Sequence, residues 1–171
     1  MLRYLLNKRL DTAERELGES VDYLRHILRY SLPAFLRFGG FMPVSSYRRA
    51  LPAEPWHVAR IVATRDADCG TCVQIEVNLA RKDGVSKDIL RAVLDHRLHD
   101  LPKDLADCCR FAEAVVRATG EEDALRERLR ARYGEAGLVE LALGIASCRV
   151  FPVTKRALGY ARSCSLVHVD V

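Results

Sequence analysis

The sequence predicts an all-α fold: a helical bundle with an added N-terminal helical arm. Three observations carry this. Apolar residues recur at three- and four-residue steps along most of the 171 positions, the period of a helix with one buried face. Gly, Ser and Pro fall where helices would start and stop, and total Gly plus Pro is low, 10 and 6, which excludes a loop-dominated or collagen-like chain. Hydrophobic residues make up 49%, enough for a core and too many for a disordered chain. Strand-like alternation is confined to Ser165–Val171, at a terminus where fraying is common.

The elements follow in order. Leu2, Leu6, Leu10, Ala13 and Leu17 define a first helix that Gly18 ends. Ser20 is placed to cap a second, carrying Val21, Leu24, Ile27 and Leu28. Pro33 interrupts, and Ala34 to Phe38 add one apolar turn before Gly39-Gly40. Phe41 to Pro55, with its prolines, reads as a linker or bend. A helix then runs through Trp56, Ala59, Ile61, Val62 and Ala63 to about Asp66. The next starts near Asp68 and passes Val73, Val77 and Ala80 to a stop at Asp83-Gly84. Ser86 caps a third, with Ile89, Val93 and Leu94 inward, and Pro102 opens a helix over Leu105–Ala118. Glu121–Tyr133 is short, charged and superficial. Leu138–Val150 is a central core helix, and Pro152 starts a last one through Leu158 and Ala161.

Charge divides the chain. The formal net charge is +4, too mild to imply nucleic acid. Residues 1–50 hold nine Lys/Arg against five acids, and the rest is balanced. Residues 1–50 are therefore expected to form a basic helical extension, and residues 51–171 the main domain. Glu14, Glu16 and Glu19 favour packing of that extension against protein over a membrane surface. No stretch reaches the roughly 18 uninterrupted apolar residues of a membrane span. The opening apolar run is too short for a signal-peptide core, so the chain reads as cytoplasmic.

Six cysteines are too few for a disulfide scaffold. Cys69-Gly-Thr-Cys72 alone carries chemistry. At a helix start, unpaired N–H groups and the backbone dipole stabilise a thiolate. Two cysteines three apart can close a small, reducible disulfide. Glu76 lies one turn further on the same stripe. A thioredoxin-like site would need a strand before the helix, and Val58–Thr64 reads as helix. Structural zinc would need a second ligand pair at matching spacing, which Cys108-Cys109 and His96/His99 do not supply. Two buried thiols filling core space are the remaining rival to redox chemistry. Cys108, Cys109, Cys148 and Cys164 read as such fillers, His96 and His99 as a solvated helix end, and Arg126, Arg128, Arg130 and Arg132 as a solvated face.

The residues around this motif add specificity. WHVARIVATRDADCGTCVQIEVNLARKDGVSKDIL and, later, RYGEAGLVELALGIASCRVFPVTKRALGYA resemble the carboxymuconolactone decarboxylase and alkylhydroperoxidase D (AhpD)-like family over Trp56 to Cys164. The first 50 residues lie outside the resemblance. It implies an all-α bundle that associates into homo-oligomers, with Cys72 attacking a peroxide and Cys69 resolving the product. Redox-active members carry a His four residues after the second cysteine and a Glu twelve before the first. This chain has Glu76 and His57 at those places, the acid and the imidazole exchanged. The exchange predicts that His57 and Glu76 meet beside Cys72, His57 taking the thiol proton and Glu76 orienting the ring. It also carries a cost, because a carboxylate beside Cys72 disfavours its thiolate, and Asp66 and Asp68 add charge of the same sign.

The expected activity is therefore a thiol-dependent oxidoreductase. Cys69, Cys72, Glu76 and His57 would act on a hydroperoxide or disulfide, and an unidentified thiol donor would restore the pair, with no cofactor or metal. The alternatives are a decarboxylase-like acid/base enzyme using His57 and Glu76, and a non-catalytic binding or assembly protein on the same scaffold.

Overall fold

The computed structural model describes residues 1–67 and 69–161. Cys164 and the alternating Ser165–Val171 lie outside the described residues, as does Asp68. The described residues form helices and turns with no strand among them, so the all-α expectation is met.

The arm comprises α1 (Leu2–Leu17), α2 (Asp22–Tyr30), α3 (Leu32–Gly39) and a single turn, α4 (Met42–Ser45). Gly18 ends α1 in the left-handed conformation at φ 71°, its N–H donating to the Glu14 carbonyl. Ser20 does not cap as a helix-adjacent residue; Val21 occupies the N-cap of α2, and the Ser20 hydroxyl accepts from the Asp22 N–H. Pro33 does not interrupt a helix but sits in the first turn of α3, where its missing N–H costs nothing. Leu10, Val21 and Leu28 form a small core of their own, flanked by Leu6, Leu17, Leu24, Leu32 and Phe35. Arg25 pins α1 to α2 through Asp11 and Glu14.

The bundle is arranged around α5 (Ala53–Arg65), which packs on α6 (Gly70–Lys82), α8 (Lys103–Arg117) and α9 (Glu122–Ala157), with α7 (Lys87–Leu94) alongside. Every residue from Pro55 to Thr64 is buried. A helix buried all round must be apolar or have its polar groups satisfied. α5 meets that demand on most faces with Val58, Ala59, Ile61, Val62 and Ala63. His57, Arg60 and Thr64 are its polar exceptions, and their i, i+3, i+7 spacing puts them on one stripe.

Two boundaries differ from the sequence reading. Cys69 is the N-cap of α6, so the helix starts at Gly70. The break expected between Tyr133 and Leu138 lies at Gly134 of α9, whereas Leu138–Val150 and the segment expected to open at Pro152 run on as one helix. Pro152 starts no helix; it lies buried inside α9. Proline removes one donor there but its fixed φ suits a helix, and the neighbouring Phe151 ring is held against Phe38 and Phe41.

By length and composition α9 is apolar enough to cross a membrane, one 18-residue window of it reaching a mean hydropathy of 1.6 with 44% of that window buried, although Glu140 and Arg149 interrupt its apolar run. Within it the buried Glu140 carboxylate accepts from the backbone N–H groups of Arg49, Ala50 and Leu51 at 2.8–3.0 Å. The junction between arm and bundle is fixed by that side chain.

Candidate active site

α5, α6, α9 and the arm wall one cavity of about 370 Å³, within the size range of small-molecule sites. α5 gives Trp56, His57, Arg60 and Thr64. α6 gives Cys72, Ile75, Glu76, Leu79 and Asp83, the stripe read as Cys69–Cys72–Glu76 continued by two more turns. Cys148, Phe151 and Lys155 come from α9 at i, i+3, i+7. The arm covers the opening with Leu17, Val21, Tyr23, Leu24 and Met42. Apolar walls thus enclose a narrow polar floor.

The cysteine pair is reduced and buried, with Cys72 on the cavity wall. Cys69 stands at the N-cap of α6, where its carbonyl accepts from the Cys72 backbone N–H at 2.9 Å and its sulfur accepts from the Cys72 thiol and the Thr71 hydroxyl, whose oxygen lies 3.5 Å away. The hydrogen bond from the Cys72 thiol is the main reason that Cys69 is acidified to about 5; burial opposes it, and Thr71, the backbone N–H and Lys155 assist. Cys72 moves the other way. Donating to Cys69 and being buried both hold its proton in place, and Lys155 only partly offsets them. The two shifts are coupled: the hydrogen bond that acidifies Cys69 is the one that holds the Cys72 proton in place.

His57 and Glu76 both line the cavity, but they do not bond to each other. Glu76 is taken by Arg60, a residue outside the expected site. Arg60 Nε and Nη2 donate to the two carboxylate oxygens at 2.8 and 2.7 Å, the fork geometry that guanidinium and carboxylate share. Arg60 Nη1 donates to the Ser45 carbonyl at 2.8 Å, and the guanidinium lies 4.3 Å from the Trp56 ring centroid. With both partners only 3–4% exposed, Glu76 serves to neutralise a buried arginine. Both oxygens are engaged by Arg60, and no hydrogen bond joins Glu76 to the imidazole among the described residues.

His57 turns to Asp83 instead, its Nε2 donating to the carboxylate over 3.0 Å. That bond leaves Nδ1 with its lone pair, buried and without a hydrogen-bond partner. Burial pushes the imidazole below its usual range, against the pull of Asp83, so the ring is neutral. The His57 N–H is in turn the main reason that Asp83 stays ionised, and Arg48 adds to it from 3.0 Å. An Asp–His dyad with a free acceptor nitrogen is the result.

Outside the cavity the remaining expectations resolve simply. Cys108 and Cys109 are fully buried, with burial pushing Cys109 up to about 12. Cys148, at about 11 for the same reason, donates to the Ile145 carbonyl. His96 faces Glu113 and His99 faces Asp100, both exposed. Arg126, Arg128, Arg130 and Arg132 pair with Asp123, Asp107, Glu127 and Asp104.

Sequence reading missed Arg60, Asp83 and Lys155. Asp83 was treated as a helix stop, although it lies seven residues beyond Glu76 on the same stripe. Arg60 and Lys155 are cations on helices whose other inward residues are apolar, the signal that could have singled them out. No family model, curated protein or solved structure matches the chain.

Proposed function

We propose that the chain is an AhpD-like, thiol-dependent oxidoreductase whose Cys69–Cys72 pair reduces a hydroperoxide or disulfide drawn from the cavity. One observation carries the reading: two free cysteines at the start of α6, one of them acidified by the other, place the second sulfur on the wall of a mostly apolar cavity. Cys72 is the attacking sulfur because it faces the cavity, and Cys69 resolves. As Cys72 attacks, its proton passes along the hydrogen bond to Cys69. The Cys72 thiolate bonds to the terminal peroxide oxygen, the O–O bond breaks, and the alkoxide leaves as alcohol with the Cys69 proton. Cys69 then attacks the Cys72 sulfenic acid; hydroxide departs, takes a proton from solvent and leaves as water. The product is the Cys69–Cys72 disulfide. An external thiol donor supplies the two electrons that restore it. His57 Nδ1 accepts a hydrogen bond from the bound hydroperoxide, and Asp83 holds the ring in that tautomer. Glu76 keeps Arg60 neutralised beneath them.

Exposure of the reduced protein to an organic hydroperoxide, followed by thiol counting, tests this. The wild type is expected to lose the two thiols of the pair. Cys72→Ser loses neither, and Cys69→Ser stops at a sulfenic acid that a dimedone probe captures. A folded wild type that keeps every thiol under peroxide overturns the proposal.

A further inference from the structure

Lys155 has no role in the steps above, yet it is the least expected charge in the molecule. Its side chain is 4% exposed, and among the described residues it makes no ion pair with a carboxylate. Buried cations are paired, because an isolated one costs several kcal/mol to desolvate. Among the described residues Lys155 Nζ donates to the Thr71 hydroxyl over 2.9 Å and lies 5.6 Å from the centroid of the Tyr23 ring. Thr71 in turn lies 3.5 Å from the Cys69 sulfur. The chain of contacts runs from a buried ammonium, through one hydroxyl, to the cysteine pair.

We propose that Lys155, acting through Thr71, is the counter-charge of the Cys69–Cys72 pair and so the positioning residue that keeps one of its sulfurs ionised. The proposal rests on the oxidoreductase reading for its purpose but not for its test. Among the described residues, the other charges around the pair are already matched. From α5, Arg60 is matched by Glu76 of α6, and His57 is neutral beside Asp83. Asp66, just before the pair, is held by Arg117 and Arg149. Arg156 donates to the Ala67 carbonyl. Tyr23 of α2 is neutral, pushed up by burial first and then by the two cysteines, and Cys148 of α9 keeps its proton. Lys155 is the remaining cation that faces the sulfurs and also lowers the cost of ionising both.

The test is alkylation of the full-length reduced protein by monobromobimane across pH, read by mass on the tryptic peptide spanning Asp66 to Arg81. It involves no peroxide. In K155M the rate at about pH 4, below the Cys69 titration near 5, is expected to fall roughly tenfold, the change in thiolate fraction that a one-unit rise produces there, and the profile to move alkaline. K155R restores the wild-type profile. T71V, which removes the relay without emptying the lysine site, moves the profile the same way by less, and carries the test if K155M does not fold. Folded K155M and T71V with wild-type profiles overturn the proposal. Because peroxide turnover is measured separately, a wild type inert to peroxide defeats the oxidoreductase reading while leaving the alkylation result to stand or fall alone.

Discussion

At the scale of single residues, the site is defined by which polar groups find each other. His57 and Glu76 sit on facing stripes of α5 and α6, and both reach the cavity, but each is claimed by a nearer or stronger partner. Glu76 bonds a guanidinium, worth more than an imidazole because both oxygens are engaged at once. His57 is left to Asp83. This has a consequence for stability. The buried imidazole titrates below its unfolded value of 6.5, so the unfolded chain binds more protons than the folded one as pH falls past that value. Stability from this group is complete above about pH 6.5 and is lost on acidification, by about 1.4 kcal/mol for each unit of depression. Asp83 acts in the same direction, but only below its unfolded value of 3.8. Cys69 also loses stability toward acid, so the comparison belongs in a Cys69→Ser chain. There, melting temperature should fall between about pH 7 and pH 5, and His57→Gln should flatten that fall. Equal slopes with and without the imidazole would show that His57 does not titrate as a buried neutral group.

At the scale of elements, much was legible. Three- and four-residue apolar steps located nearly every helix, Gly18 marked a real left-handed end, and Cys72 and Glu76 share one face of α6 while Cys69 stands at its N-cap. What could not be read is pairing between helices. Arg60 to Glu76 and His57 to Asp83 join residues 16 and 26 apart in sequence, and local spacing holds no information about which facing side chain wins. Local rules also misjudged α9, where Pro152 suggested a start. The actual break is Gly134, at φ 72° and ψ 176°, a region that essentially only glycine occupies. A Cβ built there meets nothing within 4 Å. Gly134→Ala therefore tests backbone strain alone: unfolding free energy in urea should drop by about 1–3 kcal/mol. Gly144→Ala is the contrast, since its Cβ would come within 3.0 Å of Trp56 Nε1 in ordinary helical backbone. It should perturb the fluorescence of Trp56, which Gly134→Ala should leave unchanged.

At the scale of the whole molecule, the arm is the cover of the cavity. Its placement depends on few contacts. Asn78 of α6 donates to the Leu17 carbonyl at 2.8 Å, Arg48 pairs with Asp83, Phe38 stacks edge-on against Phe151, and Tyr23 covers Lys155. The small core of Leu10, Val21 and Leu28 is separate from the large one in the bundle, so the arm should loosen before the bundle melts. Leu28 is fully buried in that small core and contacts no catalytic group. Truncating it to alanine should cost about 2–5 kcal/mol, charged mainly to the arm. The sole tryptophan of the chain, Trp56, lines the cavity beneath the cover and reports the result. Leu28→Ala should shift its emission to the red and raise binding of an apolar dye, at near-wild-type helical circular dichroism. The same loosening should speed alkylation of Cys72 at alkaline pH, where ionisation no longer limits the rate. An unchanged tryptophan spectrum in a variant whose arm is demonstrably loosened, for instance by rapid proteolysis after Arg29 or Arg37, would mean that the bundle closes the cavity without the arm.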